Sequence, residues 1–159
     1  MAIKVGDKLP DVKLTTMGEK GPTPVQSGEL FKGRVALFAL PGAFTPTCSA
    51  KHLPGFVQHV SEFKKKGVDR IVCLSVNDAF VMGAWGKAQN TVGKVIMVAD
   101  GNGDFTKAIG LELDARGAGM GTRSQRYSMV VQDGVVKALN VEKPGAFEVS
   151  NAETMLKQL

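Results

Sequence analysis

Six consecutive apolar residues, Val35-Ala36-Leu37-Phe38-Ala39-Leu40, run without a polar break between Gly33-Arg34 and Pro41-Gly42. A continuous apolar segment of this kind reads as a strand over residues 34–40, buried on both faces of a parallel sheet. Such a sheet needs further buried strands and helices to cover it. The chain supplies both. Residues 69–76 read as a second buried strand and residues 94–99 as a third. A helix begins around Thr47 between the first two. Another spans residues 79–89 between the second and third, with Asn77-Asp78 as its N-cap.

The remaining segments fit around that frame. Residues 5–14 form an extended entry, with polar and apolar residues alternating over 11–14. Residues 15–28 are rich in Gly, Pro, Thr and Ser and read as turns, with at most a short strand over 23–26. Residues 28–33 suggest one helical turn closed by glycine. Pro54 is expected to kink the helix that starts near Thr47, since proline lacks a backbone donor. Beyond it, Phe56, Val57, Val60 and Phe63 share one helical face. Residues 104–109 form a short helix ended by Gly110. Gly117, Gly119 and Gly121 make residues 116–122 a mobile loop. Residues 127–132 and 135–141 form a hairpin across Asp133-Gly134. A terminal helix starts at Ser150, with Glu153 three residues on as a capping box. No repeat or linker divides the chain, so residues 1–159 read as one α/β domain.

Composition excludes several classes. No apolar stretch approaches the ~20 residues of a membrane helix, and the first residues lack the apolar run of a secretory signal, so a cytoplasmic protein is expected. The net charge of +5 comes from scattered basic residues, with Lys64-Lys65-Lys66 the one run. That run falls at a helix end before Gly67, where cations complement the dipole, which argues for a solvated terminus over a nucleic-acid patch. The two cysteines lack a C-x-x-C spacing, which argues against a disulfide scaffold, a four-ligand zinc site and a disulfide oxidoreductase.

The candidate chemistry lies where the first strand ends, in Pro41-Gly42-Ala43-Phe44-Thr45-Pro46-Thr47-Cys48. The turn delivers Cys48 into the first turn of a helix. Unpaired N–H groups and the positive end of the dipole favour an anion there, and so a nucleophilic thiolate. The alternative for a lone cysteine is a packed core thiol. Thr45 lies three residues before Cys48, where a hydroxyl could meet both a thiolate and an incoming substrate. Pro41 has no donor and shields the pocket from water. His52, four residues after Cys48, suggests a Cys/His dyad or two metal ligands, too few for a zinc site. His59 reads as a solvated helix residue. Arg116, Arg123 and Arg126 compete as the cation that would hold a thiolate.

The octapeptide resembles the peroxidatic loop of peroxiredoxins, in which Pro, Thr and Cys stand as Pro41, Thr45 and Cys48 do. With His52-Leu53-Pro54-Gly55-Phe56 after the cysteine, it is similar to the type II branch. Residues 73–82, Cys-Leu-Ser-Val-Asn-Asp-Ala-Phe-Val-Met, and residues 126–131, Arg-Tyr-Ser-Met-Val-Val, match that branch in the expected order. The resemblance implies a thioredoxin-like fold: a central mixed β-sheet flanked by helices, with an extra N-terminal hairpin. It implies a thiol peroxidase that reduces hydrogen peroxide and organic hydroperoxides without metal, haem or flavin. Glutathione, glutaredoxin or thioredoxin would supply the electrons.

Site roles follow from the same resemblance. Cys48 is the peroxidatic nucleophile, Thr45 and Arg126 position and polarise the peroxide, Pro41 shapes the pocket, and His52 supports. Of the three arginines, Arg126 alone fits the pattern of Arg, aromatic, Ser and Met. Cys73 is either a packed core cysteine or a resolving thiol, as in plant relatives; the cysteine that the mammalian relative carries near its C-terminus has no counterpart in residues 145–150. A one-cysteine cycle is therefore expected, with glutathione reaching oxidised Cys48 through an open pocket. A homodimer is expected too, with Phe44, Phe80 and Trp85 divided between core and dimer surface. A non-catalytic redox sensor or chaperone-like oligomer is the reading from another class.

Overall fold

The computed structural model describes residues 2–159. In chain order the strands are β1 (Lys13–Gly18), β2 (Gly21–Gln26), β3 (Arg34–Ala39), β4 (Arg70–Ser75), β5 (Ile96–Ala99), β6 (Glu112–Asp114), β7 (Thr122–Ser124), β8 (Tyr127–Gln132) and β9 (Val135–Val141). The α-helices are α1 (Ser27–Leu30), α2 (Leu53–Gln58), α3 (Val60–Lys65), α4 (Ala79–Ala88), α5 (Asp104–Ala108) and α6 (Ala152–Leu156). Seven strands form one mixed sheet in the order β2-β1-β5-β4-β3-β8-β9, and β6 and β7 form a separate ribbon.

The apolar run is β3, and it lies inside the sheet with β4 parallel on one side and β8 antiparallel on the other. Its side chains alternate between two cores. Ala36, Phe38 and Leu40 face Phe56, Phe63, Trp85 and Met155 of α2, α3, α4 and α6. Val35, Leu37 and Ala39 face the opposite layer, with Phe31, Phe105 and Met129. All six residues of the run have no exposed surface. Burying a large apolar side chain contributes about 1.5–3 kcal/mol, so the run anchors both layers. Phe38 stacks on Phe56 with centroids 4.0 Å apart, and Phe56 on Phe63 at 5.4 Å.

Four local expectations change. The turns read from composition over residues 15–28 give way to the N-terminal hairpin that the resemblance implied, β1–β2, whose Pro22 and Pro24 are tolerated because β2 is an edge strand. Pro54 directly follows a local change of winding inside one continuous helical path, residues 46–58, and that change accommodates its missing N–H. A straight α-helix would set its ring against the Ala50 carbonyl. The chain instead winds residues Cys48–His52 as a π-turn, in which the Leu53 N–H reaches the Cys48 carbonyl. The second break comes at His59, between α2 and α3. Residues 116–122 are an ordered turn, not a free loop: they join β6 to β7, with Ala115 N–H donating to Gly121 O at 2.7 Å. The terminal helix is capped by Asn151, whose Oδ1 accepts from Thr154 N–H at 2.8 Å, because Ser150 and Glu153 are engaged elsewhere.

Glu153 instead joins Glu62 around His59, with Nδ1 2.9 Å from Glu62 and Nε2 3.1 Å from Glu153, so His59 ties α3 to α6. Its hydrogen bond to Glu62 first, and that to Glu153, raise its pKa above the ordinary 6.5. A raised folded-state value stabilises fully below 6.5 and loses that effect as pH rises through the folded value. His59→Gln should therefore lower the urea midpoint at about pH 5.5 and lower it less at about pH 8.5. Equal losses at both pH values would contradict the clamp.

Candidate active site

Where β3 ends, Leu40 N–H bonds Leu74 O and the Leu40 carbonyl accepts from Ser75 Oγ at 3.2 Å, which fixes the start of the 41–48 turn. Asn77 fixes its middle: Oδ1 accepts from Ala43 N–H at 3.0 Å and from Ser75 Oγ at 2.7 Å. Asn77 is thus spent on the turn, and Asp78 alone caps α4, accepting from Val81 N–H at 2.9 Å. Gly42 is closely packed: a Cβ there would lie 3.1 Å from Thr45 Cγ2 and 3.2 Å from Arg123 Nη1, so both would have to yield slightly. Phe44 takes a left-handed φ of 62°, a cost of about 1–3 kcal/mol that ordinary turns avoid.

This turn sets Cys48 in the first helical turn, fully buried in the core that holds Phe38 and Phe56. A buried thiolate requires donors in place of water. Arg126, just ahead of β8, supplies one: Nη2 donates to Cys48 Sγ at 3.1 Å. A cation donating directly to sulfur favours the thiolate. Nη1 of the same guanidinium donates to His52 Nδ1 at 2.9 Å. His52 Nε2–H in turn donates to Ser150 O at 2.9 Å. Burial first, and Arg126 second, push the His52 pKa down to about 3, so the ring stays neutral and that tautomer is the one present. His52 has no bond to Cys48. It acts on the arginine, and neither a dyad nor a metal pair forms.

The Thr45 hydroxyl donates to Gly42 O at 2.6 Å, and not to Cys48 as its spacing suggested. Its lone pairs remain free to accept from a substrate O–H. Of the competing arginines, Arg116 pairs with Asp114 in solvent, while Arg123 braces the turn by donating to Met120 O at 2.8 Å and Pro41 O at 3.3 Å. A pocket of about 110 Å³ is walled by Pro41, Thr47, Leu113, Arg126, Glu142 and Ala146, so it reaches the arginine that bonds Cys48 while the cysteine itself does not line it. It has room for a small hydroperoxide. The open approach expected for a larger thiol is not there: Cys48 is 0% exposed, so such a partner requires the first turn to unwind.

Cys73 lies in β4, with Phe38 and Met97 as register neighbours, and is fully buried in the same core as Cys48. Burial first, and then Cys48, push its thiol well above the ordinary value. Trp85 is wholly buried and donates from Nε1 to Ser49 Oγ at 3.0 Å. It is therefore core and not surface, whereas Phe44 and Phe80 are 57% and 66% exposed.

Sequence reasoning missed Glu142. Its Oε2 accepts from the N–H groups of Glu148, Val149 and Ser150 at 2.8 Å each, and from Ser150 Oγ at 2.7 Å. Burial alone would raise its pKa, but these bonds prevail and hold it below the ordinary carboxylate range. A buried acid two residues before a Pro-Gly turn is a weak signal in a sequence, because its partners are mostly backbone.

A seven-stranded sheet flanked by helices, with a buried cysteine bonded to an arginine that lines a small pocket, defines a thioredoxin-like protein built for thiol redox chemistry. The family model described as Redoxin matches residues 4–156. Chloroplastic Peroxiredoxin-2E of Arabidopsis thaliana is 51% identical, over 99% of this chain and 70% of its own. Peroxiredoxin-2B of the same plant is 48% identical over 99% and 98%. The crystal structure of reduced Prx3 from Vibrio vulnificus in complex with H2O2 superposes with a TM-score of 0.93 at 53% identity, covering 98% of each chain. The chain belongs to the peroxiredoxin family, in its type II branch, and is a thiol-dependent peroxidase of the antioxidant class.

Arg126→Lys keeps the charge but cannot donate in fixed directions to both His52 and Cys48. It should lower kcat/KM for hydrogen peroxide by roughly 10²–10³, measured by stopped-flow oxidation. A variant as fast as the wild type, with Arg123→Lys inactive, would assign the role to Arg123 instead.

Proposed function

We propose that Cys48 is the peroxidatic nucleophile and that Arg126, Thr45 and Pro41 serve its reaction with hydrogen peroxide or a small organic hydroperoxide. The observation that carries this is the Arg126 guanidinium 3.1 Å from the Cys48 sulfur. The thiolate attacks the terminal peroxide oxygen. An S–O bond forms, the O–O bond breaks, and sulfur is oxidised by two electrons to a sulfenic acid. The leaving alkoxide or hydroxide takes up a proton and departs as alcohol or water. Arg126 stabilises the charge that spreads over the two oxygens, and the Thr45 lone pairs accept the peroxide O–H. Pro41 keeps a donor-free wall beside the reacting atoms.

The reductant is an external thiol, glutathione directly or through glutaredoxin, with thioredoxin as the alternative. Its sulfur attacks the sulfenic acid to give a mixed disulfide and water, and a second thiol releases Cys48. Cys73 is not the resolving residue in this scheme. Its thiol stays protonated in the core, and protonated thiols are poor nucleophiles. Its strand is also held on both sides by the sheet. Cys48→Ser should abolish turnover, while Cys73→Ser should keep most glutathione-supported activity. Intact mass after one equivalent of peroxide should show a sulfenic acid, then a glutathione adduct. Loss of two hydrogens through a Cys48–Cys73 bond, with turnover dependent on Cys73, would refute the scheme.

The protein acts as a homodimer in the reducing cytoplasm, a setting that suits its two free cysteines. The exposed Phe44 and Phe80 support the dimer, since aromatic rings left in water mark contact surfaces. Phe44 lies in the active-site turn, so pairing there would brace that turn. Sedimentation should give a dimer at micromolar concentration; a monomer in both redox states would contradict it.

A further inference from the structure

The last hydrogen bond on the Cys48–Arg126–His52 path ends on a carbonyl, that of Ser150, in a segment with no regular structure. Residues 143–150 run between β9 and α6, and no ladder bonds hold them. Their fastening is Glu142. Its own N–H donates to the Arg126 carbonyl at 2.9 Å. Its carboxylate gathers the N–H groups of Glu148, Val149 and Ser150 and the Ser150 hydroxyl onto one oxygen. The segment so gathered touches the site twice. Ser150 O holds the His52 ring, and Phe147 lies over the Arg126 guanidinium at 5.8 Å and 5.0 Å from the His52 ring. The path closes on itself: from the Arg126 backbone to Glu142, to Ser150, to His52, and back to the Arg126 side chain.

We propose that Glu142 is a positioning residue for peroxide reduction, fastening the 143–150 strap so that His52 and Phe147 aim the Arg126 guanidinium at Cys48. This rests on the reading of Arg126 as the group that serves the thiolate. The physical basis is the direction of the fork. The two Arg126 donors point to different acceptors, and only a fixed His52 Nδ1 makes Nη2 face sulfur. His52 is fixed by a carbonyl whose position depends on the carboxylate. Glu142 makes no bond to sulfur; it forms part of the pocket wall, but its Oε2 is spent on the strap, and through the strap it reaches His52 and Arg126.

Glu142→Gln keeps one amide oxygen that can turn to the gathered N–H groups, but it lacks the charge that holds four donors on one atom, so the strap loosens. The expected result is a kcat/KM for hydrogen peroxide lower by roughly ten- to a hundred-fold, the scale of a misplaced catalytic group. The acid limb of the kcat/KM–pH profile should also move to higher pH, which a loss of folding alone would not produce. Glu148→Gln, which removes a neighbouring exposed charge with no side-chain bond in the site, should leave rate and profile unchanged. His52→Asn keeps an acceptor for Arg126 but severs the link to Ser150, leaving only the Phe147 contact, so adding Glu142→Gln to it should cost less than it costs the wild type. Full additivity of the two changes would overturn the proposal, as would a wild-type rate and profile in Glu142→Gln. Should Glu142→Gln not fold, Ser150→Ala removes one of the four donors and should move the profile the same way by less; an unmoved profile there is equally fatal. Arg126→Lys separates the failures. If it is slow while Glu142→Gln is normal, only the strap is wrong; if it is fast, the role of Arg126 is wrong as well.

Discussion

The buried strand β3 is the constraint on which the structure depends. A strand with no exposed side chain on either face can exist only if two layers of helices and loops cover it and two strands satisfy its backbone. Here β4 and β8 do the second task, and the aromatic residues of α2, α3 and α4 on one side and Phe31 and Phe105 on the other do the first. Because the strand is fixed, so is its C-terminal end. Leu40 is tied to Leu74 and Ser75, and the active-site turn starts from a rigid edge. The positions of Cys48 and of Arg126, which precedes β8, are both set by this one strand and its neighbours.

The setting at that edge is a buried sulfur bonded to a cation. Removing a thiolate from water costs free energy unless donors replace the solvent, and a cationic donor does so best. Arg126 has five N–H groups in a rigid plane, and the site uses two of them for opposite ends of one problem, one on sulfur and one on His52. The neutrality of His52 matters here. A protonated ring would have no acceptor for Arg126 and would place two cations side by side. Burial and the arginine itself keep the ring neutral, so the arrangement sustains its own protonation state. The cost is a closed site: with Cys48 inaccessible, a thiol reductant must wait for the first turn to open. The π-turn at Cys48–His52 lies at that point, a winding less tightly bonded than an α-helix.

Much of the architecture was legible in the residues because it rests on local rules. Val35–Leu40, Ile71–Val76 and the Asp133-Gly134 turn each declare their structure through apolar continuity or backbone geometry, with φ of 48° and 80° at the turn as a primed hairpin requires. The β1–β2 hairpin was obscured by Pro22 and Pro24, which oppose strand formation everywhere except at a sheet edge, and edge status is not a local property. The ordered ribbon at residues 112–124 was hidden by glycines that serve turn geometry at Gly119 and Gly121. The capping box at Ser150 failed for a related reason: Ser150 and Glu153 had partners eight and ninety-four residues away.

By itself the sequence determined where Cys48 stands, its proline-bounded turn, the buried strand that presents it, and through resemblance the arginine that faces it. Those features are set by residues close in the chain or by a motif read as a unit. Tertiary structure alone decided which atoms meet. It put Thr45 on Gly42, His52 on Arg126 in place of Cys48, Trp85 in the core and not at a surface, and Glu142 beneath the strap. Hydrogen-bond partners are chosen by which donors and acceptors end up within about 3 Å after the chain has packed. A side chain with two lone pairs or two ring nitrogens has many candidates in the unfolded chain and one set in the folded core.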